Sequence, residues 1–484
     1  MHARNWGALL WLGLAGVVAC GGSPEAVEDG PREVTAQACP PGVAARVADI
    51  TPAGSSGFMG ELTNVQGTLF FVTSGFDTGS VLWRSDGTEA GTVQVKVFPG
   101  PPGVYQPQNL VAVGNTLFFQ ARTDTTGMEL WSSNGTAAGT RLVKDITPGA
   151  EGSVMTNATE LNGRLVFFRW VPVPGDGARP ELWRSDGTAA GTLRVKDFGG
   201  LTNLGYYTLK AGNALLFIFS EDTGTTLWRT DGTSAGTTSV KRLDAGNTYL
   251  SGVSNPGEPP LFILEDGPNS EVWKTNGTAA GTVRLEAFGR RVHLLGTLGT
   301  HVYLASVDNP VTKRLRIDRL SLSGGGKTGI TTLPNPYGAE EFAYPAVRST
   351  VVSGGDIYFY VSIGSDAPVS RAVSLWATNG TASGTRQLFD TDNVEYGYRY
   401  PLFATGTGQV LFGGTPDSLG PVFPYFTRGS LATQGRLADI HFPGSFTRVG
   451  HRIFFTALDA AEEGQLWSVP ATFSCPPGLA GARE

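Results

Sequence analysis

The sequence predicts an all-β fold, a β-propeller of four-stranded blades. Three observations predict it: a motif of fixed internal spacing, dense apolar strands between its copies, and a composition rich in turn residues. The motif reads Leu-Trp-x-x-Asp/Asn-Gly-Thr-x-x-Gly-Thr. Its best copies start at Leu82-Trp83, Leu130-Trp131, Leu182-Trp183, Leu227-Trp228, Val272-Trp273 and Leu375-Trp376. Each copy carries an Asp or Asn three residues after the Trp (Asp86, Asn134, Asp186, Asp231, Asn276, Asn379). A Gly-Thr begins eight residues after it, as at Gly91-Thr92 and Gly384-Thr385. Degraded copies at 320–330 and between Phe423 and Gly435, and a partial copy at Gln465-Leu466-Trp467, complete the series. The Trp spacing of about 40 to 55 residues is the period of propeller blades.

The apolar strands support the same fold. Leu69-Phe70-Phe71, Leu117-Phe118-Phe119, Val166-Phe167-Phe168 and Ile453-Phe454-Phe455 are apolar at consecutive positions. Such runs are buried on both faces, as a blade is between two neighbours. The composition agrees: 67 Gly and 30 Pro, aromatics 10% and charged residues 16% describe short strands and tight turns rather than long helices or disorder. A formal net charge of -6 argues against a nucleic-acid-binding domain.

The ends of the series predict ring closure. The last copy supplies three strands and lacks the fourth, while Arg46-Val47-Ala48-Asp49-Ile50 is an orphan fourth strand at the other end. The N-terminal strand therefore completes the C-terminal blade and removes exposed sheet edges. Eight whole repeats and one split repeat give nine blades. Seven or eight stay open if a degenerate copy is not a blade.

The stretches Glu129-Leu130-Trp131-Ser132-Ser133-Asn134-Gly135-Thr136 and Glu181-Leu182-Trp183-Arg184-Ser185-Asp186-Gly187-Thr188 resemble the ELWxxDGT repeat family of bacterial surface or exported proteins. The match covers most of residues 43–469. It implies an exported, propeller-like repeat protein and brings no activity to assign to particular residues.

The chain start reads as an export signal. Arg4 is followed by an apolar or glycine run, 8–19, too short for a membrane span. Val17-Val18-Ala19-Cys20-Gly21 resembles the lipobox of bacterial lipoproteins, in which the cysteine is lipidated. Gly21, rather than Asp, implies by the same resemblance the outer membrane, on either its periplasmic or its cell-surface side. The expected organisation is a lipoprotein signal peptide at 1–19, a flexible tether at 20–38, one propeller domain at 39–477 and a tail at 478–484. Cys39 and Cys475 sit in twin Cys-Pro-Pro-Gly contexts that bracket the folded region. After export they form a natural disulfide, with two free thiols the alternative. Closing a loop this long stabilises by roughly 5 kcal/mol.

Most chemical motifs reduce to scaffold. Asp-Gly and Asn-Gly supply the positive φ of a strand-to-strand turn. Calcium at those turns is the second reading, weakened because Asp and Asn exchange freely between copies. No other cofactor is expected. The segment 323–328 (SGGGKT) lacks the first glycine of a phosphate-binding loop, so no nucleotide is expected. The histidines have no zinc spacing, and no Gly-x-Ser-x-Gly elbow appears.

The connections after the second and fourth strands vary and share one face, whereas the stereotyped turns share the other. Loops on a rigid scaffold are where binding usually resides. Several carry aromatics: Tyr206 and Tyr207; Tyr337, Phe342 and Tyr344; Tyr396, Tyr398 and Tyr400. The tyrosines are the candidate ligand-binding residues. The leading expectation is a non-enzymatic envelope lipoprotein that binds an extracellular protein or glycan through this face, touching the membrane only by its lipid. A propeller hydrolase or lyase acting on polysaccharide or peptide, and a purely structural role, are the alternatives.

Overall fold

The computed structural model describes residues 44–50, 58–75, 79–100, 106–173, 177–201, 203–205, 208–221, 224–243, 250–253, 259–364, 369–395, 401–416 and 420–472. Cys20, Cys39 and Cys475, with Tyr206, Tyr207, Tyr396, Tyr398 and Tyr400, lie outside these residues.

Nine four-stranded antiparallel sheets follow one another along the chain as the blades of a nine-bladed β-propeller. Blades 1 to 9 span 58–98, 108–144, 154–197, 209–243, 250–288, 293–333, 345–395, 402–436 and 447–470. Both degenerate repeats are full blades, the sixth and eighth. The ninth is completed by Ala45–Ala48, whose Ala45 pairs with Ser468 and whose Arg46 pairs with Trp467.

The core lies between blades. In the second strand of blade 1, Leu69, Phe70, Phe71 and Val72 are all buried, so this strand meets a neighbour on each side. Phe70, Val72 and Leu82 pack with Leu117, Phe119 and Trp131 of blade 2. Corresponding apolar clusters join each later pair of blades. A ninth cluster closes the ring: Val47 and Ile50 of the N-terminal strand and Phe454 of blade 9 pack with Leu69 and Phe71 of blade 1. Each of the nine junctions thus carries one apolar cluster.

The motif tryptophan belongs to this packing. It stands opposite a second-strand Phe in register, and the rings stack: Phe71 on Trp83, Phe119 on Trp131, Phe167 on Trp183, Phe217 on Trp228 and Phe262 on Trp273. Each such pair adds about 1 kcal/mol beyond area burial. A lysine from the preceding blade's outer strand covers the ring. Lys96 lies 5.6 Å from the Trp131 centroid, Lys196 5.5 Å from Trp228 and Lys241 5.6 Å from Trp273. In blade 6 Arg319 takes the Trp position opposite Tyr303, and in blade 5 Glu286 takes the Lys position opposite Val272. A carboxylate thus replaces an ammonium where the next blade carries a guanidinium.

Candidate functional site

The connections between first and second strands, two residues long in seven blades, share a face with the turns between third and outer strands. This fixed face consumes its own polar groups. Asp86 Oδ1 accepts from Thr88 N at 2.9 Å and from Thr88 Oγ1 at 2.7 Å. Thr88 Oγ1 accepts from Gly91 N at 3.0 Å, and Thr92 Oγ1 donates to Thr88 O at 2.7 Å. Ser85 Oγ accepts from Gly87 N at 3.0 Å. The same pattern recurs from Asn134, Asp186, Asp231, Asn276 and Asn379. The first glycine of each turn has φ between +82° and +93°, and a Cβ on the second would fall on the Asp or Asn side chain. Both glycines of the motif are therefore steric requirements.

The hydrogen bond from the Thr88 hydroxyl, then that from its amide, holds the Asp86 carboxyl below the usual range; Asp186 and Asp231 are held down likewise by Thr188 and Thr233. In each of these turns Oδ1 is engaged within the turn itself. Among the described residues no three His, Cys, Asp or Glu side chains converge as metal ligands. The segment 323–328 follows the third strand Leu315–Ser321 and runs into the outer strand Lys327–Leu333, in the place of this turn.

The opposite face is built from unlike loops. Two of them, 308–314 within blade 6 and 334–344 between blades 6 and 7, form one ordered platform. Lys313, only 6% exposed and at φ +47°, joins them: its Nζ donates to Gly338 O at 3.1 Å and to Glu340 O. Asn335 Nδ2 donates to Lys313 O at 2.9 Å and to Ala343 O at 2.8 Å. Arg371 grips Glu340 with two parallel bonds, 3.0 and 3.1 Å, so blade 7 anchors the far side. Backbone polar groups are satisfied inside the loops, which leaves apolar side chains to face outward.

Val311 is 77% exposed, Phe342 54% and Tyr344 45%. The Lys313 ammonium sits 5.1 Å from the Tyr344 ring centroid, which fixes that ring. Tyr337 is placed differently: it is half-buried against Ala343, Ile363 and Ala372, with the Arg371 guanidinium 5.7 Å from its ring. Of these two tyrosines, Tyr344 is displayed and Tyr337 supports the loop. Val311 and Lys313 lie in the variable connection 306–316, but neither belongs to a motif or an aromatic run, so nothing marked them individually.

A concave feature lies beside the inner strands of blades 1, 8 and 9. The inner strands of blades 8 and 9, Leu402–Ala404 and Thr447–Val449, have three residues each, against eight in Phe58–Val65 of blade 1. Beside these short strands a cavity of about 700 Å³ opens, lined by residues that include Met59, Glu61, Leu110, Leu402, Phe403 and Phe446. Glu61 lies in a bulge of the inner strand at φ +59°, the position that Asn109 and Asn157 hold in blades 2 and 3 at φ +57° and +53°. Glu61 Oε2 accepts from Leu110 N at 3.1 Å, a bond from blade 1 to blade 2.

No protein-family model and no curated protein matches the chain. Solved structures with a related architecture include a puromycin hydrolase, 13% identical over 81% of this chain and 62% of that one, at TM-score 0.38. They also include a prolyl endopeptidase, 12% identical over 76% of this chain and 54% of that one at TM-score 0.42. Prolyl oligopeptidase B from Galerina marginata, bound to a 35mer hydrolysis and macrocyclization substrate, is 11% identical over 76% and 54% at TM-score 0.40. The chain thus spans less than two thirds of the length of each. Likenesses this low carry no argument about what this chain does.

Proposed function

We propose that this protein is a non-enzymatic binding protein, lipidated at Cys20 on the bacterial outer membrane, which engages an extracellular protein or glycan through its variable-loop face. The observation that carries the reading is the platform of Val311, Phe342 and Tyr344, apolar side chains exposed on loops that are internally tied down. Ordered exposed rings on a rigid scaffold are the usual anchors of an interface.

Topology supports the orientation. Ala45–Ala48 stands where the outer strand of blade 9 belongs, so its first residue lies at the fixed-turn face. The other end agrees: Ala471 N donates to His451 O, and Thr407 Oγ1 donates to Ala471 O, both partners lying in inner turns of that face. The described part of the chain therefore begins on the fixed-turn face, opposite the variable loops. Both ends leaving blade 9 on one side also supports a Cys39–Cys475 clasp. Cys39 is six residues before Ala45, and Cys475 seven after Ser468, each within about 25 Å of reach.

The test is binding of the immobilised protein to glycan arrays and to extracellular protein fractions, beside a Phe342→Ala/Tyr344→Ala variant. The expected result is a saturable signal that falls at least about tenfold in the double variant, with the melting temperature unchanged. An equal signal from both proteins would remove the platform from the reading. Fatty-acid labelling retained in Cys20→Ser would remove the lipid.

A further inference from the structure

We propose that the seam cavity among blades 8, 9 and 1 is a binding site for an organic ammonium group on an aliphatic stem. Its volume of about 700 Å³ lies within the range of small-molecule sites. Its walls mix polar and apolar surface, with Leu110, Phe403 and Phe446 beside Thr63, Ser445 and Thr456, and among the described lining residues Glu61 alone has an ionisable side chain. No described cation lies within ion-pair distance of that carboxylate, and Oε1 has no described partner. The bond from Leu110 N to Oε2 fixes the group's orientation and leaves its charge uncompensated. A lone, oriented carboxylate in a concave setting, with aromatic rings beside it, selects for a cation.

The backbone singles out the same residue. Asn tolerates positive φ better than Glu does, and Asn occupies this bulge in blades 2 and 3. The bulge therefore does not need a carboxylate, and Glu61 is held there against its conformational preference. The surroundings define the rest of the ligand. Phe403 and Phe446 line the cavity with ring centroids 6.1 Å apart, and aromatic faces attract cations. Met59, Leu110 and Leu402 offer contact to methylene groups. The chemistry is that of an alkylammonium, supplied either by a free amine or by a lysine side chain of a polypeptide.

Calorimetric titration of the full chain with n-pentylammonium chloride at pH 7, beside n-pentanol, tests this. The amine is expected to bind saturably, and the alcohol at least about tenfold more weakly, the weight of one charge-assisted hydrogen bond. Glu61→Asn installs the residue that two other blades carry at this bulge. It is expected to melt as the parent does and to lose the preference for the amine, whereas Glu61→Asp retains part of it. A blocked Ala-Lys-Ala peptide that binds more tightly than pentylammonium assigns the site to a polypeptide, and weaker binding assigns it to a free amine. Equal binding of amine and alcohol, or unchanged amine affinity in a folded Glu61→Asn protein, overturns the proposal. Phe342→Ala/Tyr344→Ala leaves amine binding unchanged, so this site and the loop platform stand or fall separately.

Discussion

On the fixed face, six turns from Asp86 to Asn379 repeat one set of hydrogen bonds. On the opposite face, the connections from blade 6 to blade 9 range from five to eleven residues. The difference is one of constraint. A turn that must reverse the chain within a few residues needs positive φ, a side-chain oxygen to hold the next amides, and a glycine where that side chain lies. Loops that join blades at greater length find other anchors, such as Lys313 and Asn335. Repetition marks where the backbone has no choice, and divergence marks where sequence is free to serve a ligand.

The largest expected effect separates the faces by one kind of substitution. A Cβ on Gly191 falls on the Asp186 carboxylate, whereas one on Gly200, on the opposite face, meets nothing within 4 Å. Gly191→Ala is expected to cost about 2 kcal/mol by overpacking and loss of the turn bonds. Gly200→Ala is expected to stay within about 0.5 kcal/mol of the parent. Urea denaturation of the two variants checks this; equal midpoints would erase the distinction.

Much of the scaffold was legible because each rule leaves a residue-level trace. The doublets Phe70-Phe71 and Phe454-Phe455 announced blades buried on both sides. The orphan strand after Ala44 announced the closing blade, and the missing Trp at Arg319 did not hide blade 6. Turn chemistry was legible too, since Asn134 and Asp86 perform one role with different charge. The variable face was legible only in part. Tyr344 and Tyr337 look alike in sequence, and only the positions of Lys313 and Arg371 decide which ring is displayed. Glu61 was invisible for a physical reason: Asn and Gly advertise positive φ, and Glu does not. The cavity beside it is lined by residues far apart in the chain, such as Glu61, Leu402 and Phe446, a juxtaposition that no local pattern marks.

A middle-sized effect probes whether the platform is as well built as the turns. Lys313→Met keeps the aliphatic stem and deletes the ammonium, leaving the Gly338 and Glu340 carbonyls without that donor. The expected cost is about 1 to 2 kcal/mol. Loop 334–344 should also be cut faster by protease, with the six turns still protected. Unchanged cleavage would show that Asn335 and Arg371 suffice to hold the loops.

The smallest effect is read in pH. Asp86, Asp186 and Asp231 have folded-state pKa values lowered first by the hydroxyl bonds from Thr88, Thr188 and Thr233. A depressed carboxyl pKa gives stability that is present above the unfolded value, near 4, and lost as pH falls through the folded one. Asn134, Asn276 and Asn379 make the same bonds and do not titrate. The triple variant Asp86→Asn/Asp186→Asn/Asp231→Asn should therefore lose stability less steeply between about pH 5 and 3. Glu129 works in the opposite sense. Burial raises its folded pKa, outweighing the amide bonds from Thr147 and Ile146, so its contribution is fully present below the unfolded pKa and lost as pH rises through the folded one. Glu129→Gln should steepen the acid loss while the triple variant flattens it. Urea midpoints at several pH values resolve the two slopes, and equal slopes for parent and triple variant would mean that the Asp turns gain nothing over the Asn turns beyond shared geometry.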